Sequence, residues 1–210
     1  MLKIKSVIID YNMGNLFSLK CALDYIKFEA EITNSKKTIS NSQVIFIPGV
    51  GSFYQAINNL KKLKIYDEII KHGQSNKTII GICLGMQILF DVGMEGKKTY
   101  GLSLLNGSVE KFPSNNKNIL NVGWNKIEIN SDVIFRKINK NEKFYFIHSY
   151  QVIPKNKKII TSHSTFEGKK FCSSIQKNNI FGFQYHPEKS SSQGIQILTN
   201  LKEIIYEKYI

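Results

Sequence analysis

A β-branched run, Thr78-Ile79-Ile80, leads into Gly81-Ile82-Cys83-Leu84-Gly85, and a helix-forming apolar run, Met86-Gln87-Ile88-Leu89-Phe90, follows. Strand, sharp turn and helix in that order put a thiol at the turn and suit a layered sheet of parallel strands. A glycine two residues either side of a nucleophile is a steric requirement, because such an elbow holds the central residue in a strained conformation without room for neighbouring Cβ atoms. At a helix N-terminus the sulfur would also face unpaired N–H groups and the positive end of the dipole, which favour the thiolate.

His186-Pro187-Glu188 lies about a hundred residues downstream, after the strand-like Ile180-Phe181-Gly182-Phe183-Gln184-Tyr185. His186 can serve Cys83 as a base. Glu188, two positions along an extended segment, would point to the same side and orient the imidazole. Against this stands the core reading of a free cysteine, one of the most buried residue types. Cys21 and Cys172 are read that way; for Cys83 the flanking glycines argue otherwise, since a core strand gains nothing from them.

At 210 residues and 42% hydrophobic content the chain is sized for a single domain over 1–210 with a sizeable core. No apolar stretch reaches the length of a membrane span. The opening segment from Met1 to Ile9 alternates as a strand does, not as a signal peptide, so cytoplasmic residence is expected. Three cysteines without metal spacing argue against a disulfide framework or a metal site. The formal charge of +13 raises a nucleic-acid reading, but Arg136 is the only arginine and the lysines are scattered in pairs such as Lys61-Lys62 and Lys157-Lys158. Base readout favours arginine forks, so a solvated lysine surface is expected, with neither nucleic acid nor membrane as partner.

Strand and helix alternate through the first half. Lys5 to Asp10 reads as a buried strand, Leu16, Leu19, Leu23 and Ile26 as a helix face, Val44-Ile45-Phe46-Ile47 as a strand, Leu60 to Ile70 as a helix and Thr78 to Cys83 as the next strand. The fold class is therefore α/β: an open, mostly parallel sheet covered by helices on both faces. Ligands in such sheets bind beyond the carboxyl ends of the strands, where Tyr11-Asn12, Pro48-Gly49-Val50-Gly51 and Cys83 fall. Residues from about Gly101 to Ile180 predict an antiparallel β elaboration, with Ser114-Asn115-Asn116-Lys117-Asn118 exposed. Ser190 and Gln193 predict a capping box for a last helix whose stripe is Ile197, Leu198, Leu201, Ile204 and Ile205.

Six segments, in order, carry a resemblance: Asp10-Tyr11-Asn12-Met13-Gly14-Asn15-Leu16, Pro48-Gly49-Val50-Gly51-Ser52-Phe53, Gly81 to Gln87, Val122-Gly123-Trp124-Asn125, Phe146-Ile147-His148-Ser149-Tyr150 and Gln184 to Ser190. Over nearly its whole length the chain resembles the class I glutamine amidotransferases, whose fold is flavodoxin-like, and within them the glutaminase subunits of imidazole glycerol phosphate synthases. The resemblance implies that Cys83 attacks the side-chain amide of glutamine, with His186 as acid and base and Glu188 as its orienter. It places oxyanion donors at the Leu84 N–H and in the Val50-Gly51 stretch. Gln87 and Glu95 match positions that hold the substrate amide and amino group, and Ser149-Tyr150 a backbone edge for its carboxylate. Read alone, Gln87 is equally an exposed helix residue and Glu95 a loop acid.

No cofactor or metal is implied. The family's partner is a (β/α)₈-barrel cyclase, which takes the ammonia in a heterodimer and makes imidazole glycerol phosphate and an aminoimidazole carboxamide ribotide in histidine biosynthesis. Asn12, Trp124 and Lys189 match positions facing that partner; their plain readings are a turn asparagine, a core tryptophan and a solvated lysine. His148 is expected to serve packing, and His72 and His163 to be surface or structural. Three alternatives stay open on the sequence. They are a paralogue feeding a sugar-amidinating synthetase, a stand-alone γ-glutamyl hydrolase, and a basic binding module in which Cys83→Ala would change nothing.

Overall fold

The computed structural model describes residues 4–113, 119–130, 133–139 and 142–209; the run at 114–118, expected to be exposed, lies outside them. The first half alternates β1 (Ser6–Ile9), α1 (Leu16–Tyr25), β2 (Glu31–Thr33), α2 (Lys36–Asn41), β3 (Val44–Gly49), α3 (Phe53–Lys62), α4 (Tyr66–Gln74) and β4 (Thr78–Cys83), ending in the short helix α5 (Leu84–Gln87). Strands then dominate: β5 (Phe90–Gly93), β6 (Thr99–Tyr100), β7 (Leu105–Lys111), β8 (Asn121–Ile129), β9 (Lys143–His148), β10 (Tyr150–Pro154), β11 (Ile160–Phe166), β12 (Lys169–Lys177) and β13 (Ile180–Phe183). Helix α6 (Ser191–Tyr209) follows.

Nine strands make one sheet in the order β2-β1-β3-β4-β13-β12-β11-β8-β9. The five from β2 to β13 run parallel, and the rest are antiparallel. The period-2 pattern sorts the strand residues to two faces. Ile8, Phe46, Ile80 and Ile82 pack with Leu19 and Leu23 of α1 and Ile197, Leu198 and Leu201 of α6. Val7, Ile9, Ile45, Ile47 and Ile79 pack on the opposite side with Ile57 and Leu60 of α3, Ile69 of α4 and the second sheet. The layered α/β architecture expected from the sequence is the one found. Among the described residues no helix is long and apolar enough to cross a membrane.

Several local expectations are corrected. The antiparallel elaboration of the second half is found, but it is divided: β10, β7, β5 and β6 form a separate sheet in which β5 and β7 are parallel, and it begins at Phe90. The helix expected from Leu60 to Ile70 is two helices. Lys64 between them adopts φ +58°, closed by Ile65 N–H donating to the Leu60 carbonyl. That left-handed turn carries no glycine to announce it. The apolar run after Cys83 is helical only to Gln87, because Ile88, Leu89 and Phe90 are buried on every side and the chain turns into β5. An all-round apolar segment has no periodicity from which to tell helix from strand.

The capping box is absent. The Ser190 hydroxyl donates to the His186 carbonyl at 2.6 Å and accepts the Tyr145 N–H at 3.0 Å, while the Gln193 amide donates to Glu142. These bonds fasten the His-Pro-Glu segment to β9 instead of capping α6. Cys172 is buried as expected, but Cys21 lies exposed on α1.

Candidate active site

Cys83 ends the central strand β4 with φ +54° and ψ −112°, a conformation a non-glycine residue holds only when its surroundings over-determine it, at a cost of roughly 1–3 kcal/mol. The flanking glycines supply the room. A Cβ on Gly81 would meet the Gly85 carbonyl and the Met86 backbone at 2.7 Å, and one on Gly85 would lie 1.6 Å from the Ile47 carbonyl of β3. The elbow is thus wedged between two strands and α5.

The His186 main chain is fixed by its N–H, which donates to the Tyr145 carbonyl at 2.9 Å. Pro187–Lys189 then forms a 3₁₀ turn, not the extended segment expected, and this turn brings Glu188 back beneath the ring. His186 Nδ1–H donates to Glu188 Oε1 at 2.7 Å, with both side chains all but sealed from solvent. Burial by itself would lower the imidazole pKa; the charge of the Cys83 sulfur and contact with it, then Glu188, outweigh that and carry it up to about 10. Nε2 makes no well-directed hydrogen bond among the described residues, so Cys83 acts on it chiefly through charge.

Cys83 opens into a cavity of about 390 Å³ lined by Val50, Gly51, Gln87, Glu95, Ser149 and Tyr150 among others. Every substrate-side position proposed from the resemblance borders it. Gln87 is not an exposed helix residue: it is 5% exposed, and its Nε2 donates to the Tyr150 carbonyl at 3.2 Å and to Gln184 Oε1 at 3.0 Å. Glu95 is no idle loop acid either, since Oε2 accepts the Phe53 N–H at 2.7 Å. A larger cavity, about 860 Å³, lies by the β1–β2 edge near Lys5, Glu31 and Lys37. Among the described residues neither cysteine nor histidine lines it, so size is a poor guide to chemistry in this chain.

Asn12, Trp124 and Lys189 are all solvent-facing. Trp124 is 46% exposed and not a core residue; with exposed Leu120, Val122 and Ile147 it forms an apolar rim on the β8–β9 edge, and Leu120 and Ile147 also line the cavity. His148 packs against Phe112, Phe146 and Phe171 as expected, and burial holds its imidazole at about 4. His72 is buried and donates Nε2–H to the Thr78 carbonyl at 3.1 Å. His163 meets the Asn130 amide at 2.9 Å.

Two side chains near the sulfur, Gln184 and Tyr11, belong to segments the sequence singles out but receive no role of their own from it. Gln184 is fully buried with Nε2 at 3.7 Å from Cys83 Sγ; a polar residue between Phe183 and Tyr185 on a buried strand end was the available signal. Tyr11 is also fully buried, and its hydroxyl has no partner among the described residues. Burial, then the Cys83 charge, hold that phenol well above its usual range.

A strained cysteine elbow at the end of a parallel strand, faced by a buried histidine–carboxylate pair, defines a hydrolytic or transfer enzyme of the cysteine type. The Glutamine amidotransferase class-I family matches residues 7–203, and the chain belongs to it. It is 44% identical over 199 residues to the Imidazole glycerol phosphate synthase subunit HisH of Caldanaerobacter subterraneus subsp. tengcongensis, covering 94% of this chain and 97% of that one. Against the protein of the same name from Chlorobium luteolum it is 41% identical, covering 93% and 98%. Among solved structures, PurLQS from Thermotoga maritima matches with a TM-score of 0.73 at 20% identity, covering 97% of this chain and 100% of that one. The glutaminase domain of Trypanosoma brucei CTPS gives 0.64 at 14%, covering 96% and 92%. These two speak for the fold alone.

Proposed function

We infer that this chain is the glutamine-hydrolysing subunit of imidazole glycerol phosphate synthase and that Cys83, His186 and Glu188 are its catalytic triad. The observation that carries the reading is a strained Cys83 that opens into the cavity, with the 2.7 Å His186–Glu188 pair near enough for the imidazole to feel the charge of its sulfur. The thiolate attacks the glutamine amide carbon, and the tetrahedral oxyanion collapses to a γ-glutamyl thioester as His186 protonates the departing ammonia. His186 then takes a proton from water, which hydrolyses the thioester. The Leu84 N–H at the head of α5 and the backbone of Val50-Gly51, which lines the cavity, are the proposed oxyanion donors, each worth roughly 3–4 kcal/mol in a preorganised site.

Ammonia is protonated and lost in bulk water, so a partner must seal the cavity mouth. The apolar rim of Leu120, Val122, Trp124 and Ile147, with Asn12 and Lys189 nearby in the resemblance, suits a (β/α)₈-barrel cyclase. Relatives named as subunits of that synthase favour this over the sugar-amidinating and stand-alone hydrolase readings.

The test is glutamine-driven and ammonium-driven turnover of the complex with the cyclase. Cys83→Ala is expected to abolish the first and keep the second. Loss of both would refute a separate acceptor site, and retention of both would refute the nucleophile.

A further inference from the structure

The Tyr150 backbone carbonyl can only accept, so the Gln87 side chain must turn its NH₂ toward it, at 3.2 Å. The second hydrogen of that NH₂ goes to Gln184 Oε1 at 3.0 Å. Gln184 therefore presents oxygen to Gln87 and nitrogen to Cys83 Sγ, at 3.7 Å. Rotating either amide by a half-turn would set N–H against N–H or oxygen against oxygen in a buried site, a loss of about 1–3 kcal/mol per unsatisfied group. A main-chain carbonyl thus dictates, through two side chains, that the sulfur meets a donor.

We propose that Gln184 is a catalytic residue of this site, its side-chain N–H donating to the Cys83 sulfur and favouring the thiolate, with its polarity imposed by the Tyr150 carbonyl through Gln87. This rests on Cys83 being the nucleophile. The sulfur then has a partner in each protonation state. The thiol S–H donates to the Ile147 carbonyl at 3.8 Å, and the thiolate accepts from Gln184 on losing its proton to His186. A hydrogen bond to an ionised acceptor is about twice as strong as its neutral counterpart, so the Gln184 contact gains when the proton leaves. Of the titratable groups facing the sulfur, His186 exchanges that proton, while the Tyr11 phenol, held above its usual range, stays neutral. The relay uses both Gln87 hydrogens and leaves its Oε1 without a partner among the described residues, so this wall of the cavity offers an acceptor to the substrate.

The test is the pH dependence of iodoacetamide alkylation of Cys83 in the full chain, with the exposed Cys21 replaced by Ser. Gln184→Met is expected to slow alkylation about tenfold at neutral pH without lowering the alkaline plateau, since only ionisation changes. In the complex with the cyclase, kcat for glutamine should fall by a similar factor with KM nearly unchanged, because Gln184 does not line the cavity. Gln87→Leu, which leaves Gln184 in place but free to rotate, should give a smaller slowing in the same direction and serves where Gln184→Met fails to fold. Unchanged neutral rates in the folded variants, or a plateau that falls in proportion, would overturn the proposal. If glutamine hydrolysis survives Cys83→Ala, the nucleophile assignment fails. If Cys83→Ala is dead and the alkylation profile does not move, Gln184 alone fails.

Discussion

The Glu95 carboxylate accepts the backbone N–H of Phe53 at 2.7 Å, which ties a wall of the cavity to the first residue of α3, directly after the Val50-Gly51 loop. A carboxylate at a helix N-terminus is favoured by the dipole and fixes where that helix begins. On the proposed reading, one side chain therefore supports the oxyanion loop and offers negative charge to a substrate ammonium. Glu95→Gln keeps an oxygen for Phe53 and loses only the charge, so KM for glutamine should rise roughly tenfold or more with kcat nearly constant. Glu95→Ala loses both, and kcat should fall as well. Steady-state kinetics in which the two variants behave alike would remove the link to the loop.

Glu188→Gln leaves a side chain able to accept the His186 Nδ1–H but removes the charge that stabilises an imidazolium. The expected result is a fall in kcat of roughly a hundredfold or more with little change in KM. A loss confined to KM would mean that the carboxylate contributes to substrate binding and not to proton transfer.

Burial holds His72 at about 4, against an ordinary 6.5. Its folded-state pKa is depressed, so the neutral ring's contribution is present above about 6.5 and is lost as pH falls toward 4, at up to about 1.4 kcal/mol per pH unit. His148, also near 4, adds to the same window. Urea midpoints at pH 7, 6 and 5 should decline, and the decline should be shallower in His72→Gln although that variant starts lower. An identical slope would assign the acid sensitivity to other groups.

Gly85→Ala drives a methyl group to 1.6 Å from the Ile47 carbonyl, backbone that cannot step aside without parting β3 from β4. A destabilisation of at least about 2–3 kcal/mol is expected from thermal or urea unfolding. Cys21→Ala, on the exposed face of α1, is the control and should stay within about 0.5 kcal/mol of the parent. A Gly85→Ala protein as stable as the control would show the elbow to be looser than its geometry.

Trp124→Ala removes the largest side chain of the exposed rim without touching the core. Titration calorimetry with the cyclase should give a Kd weaker by about thirtyfold, corresponding to the roughly 2 kcal/mol of an interface hot spot. Unaltered affinity would place the docking face elsewhere.

The continuous apolar runs of β1, β3 and β4 already marked strands covered on both faces, because a strand's period of two sends neighbouring side chains into opposite layers. The two glycines around Cys83 announced the elbow, because a forbidden Cβ is a local fact of the chain. His186 could be singled out from its neighbours, but the route by which Glu188 reaches it could not. The 3₁₀ turn depends on Ser190 binding Tyr145 N–H, a contact 45 residues apart in sequence.

The same distance in the chain hid the remainder. Nothing near Gln184 says that it meets a sulfur 101 residues away, or that Gln87 and Tyr150 decide which edge of its amide it shows. The brevity of α5 follows from burial on all sides of Ile88, Leu89 and Phe90, which erases the periodicity that distinguishes helix from strand. Sterics and periodicity act between neighbours and are written in the sequence; hydrogen-bond polarity in a buried site is set by whichever groups the fold brings together, and only the tertiary structure decided it.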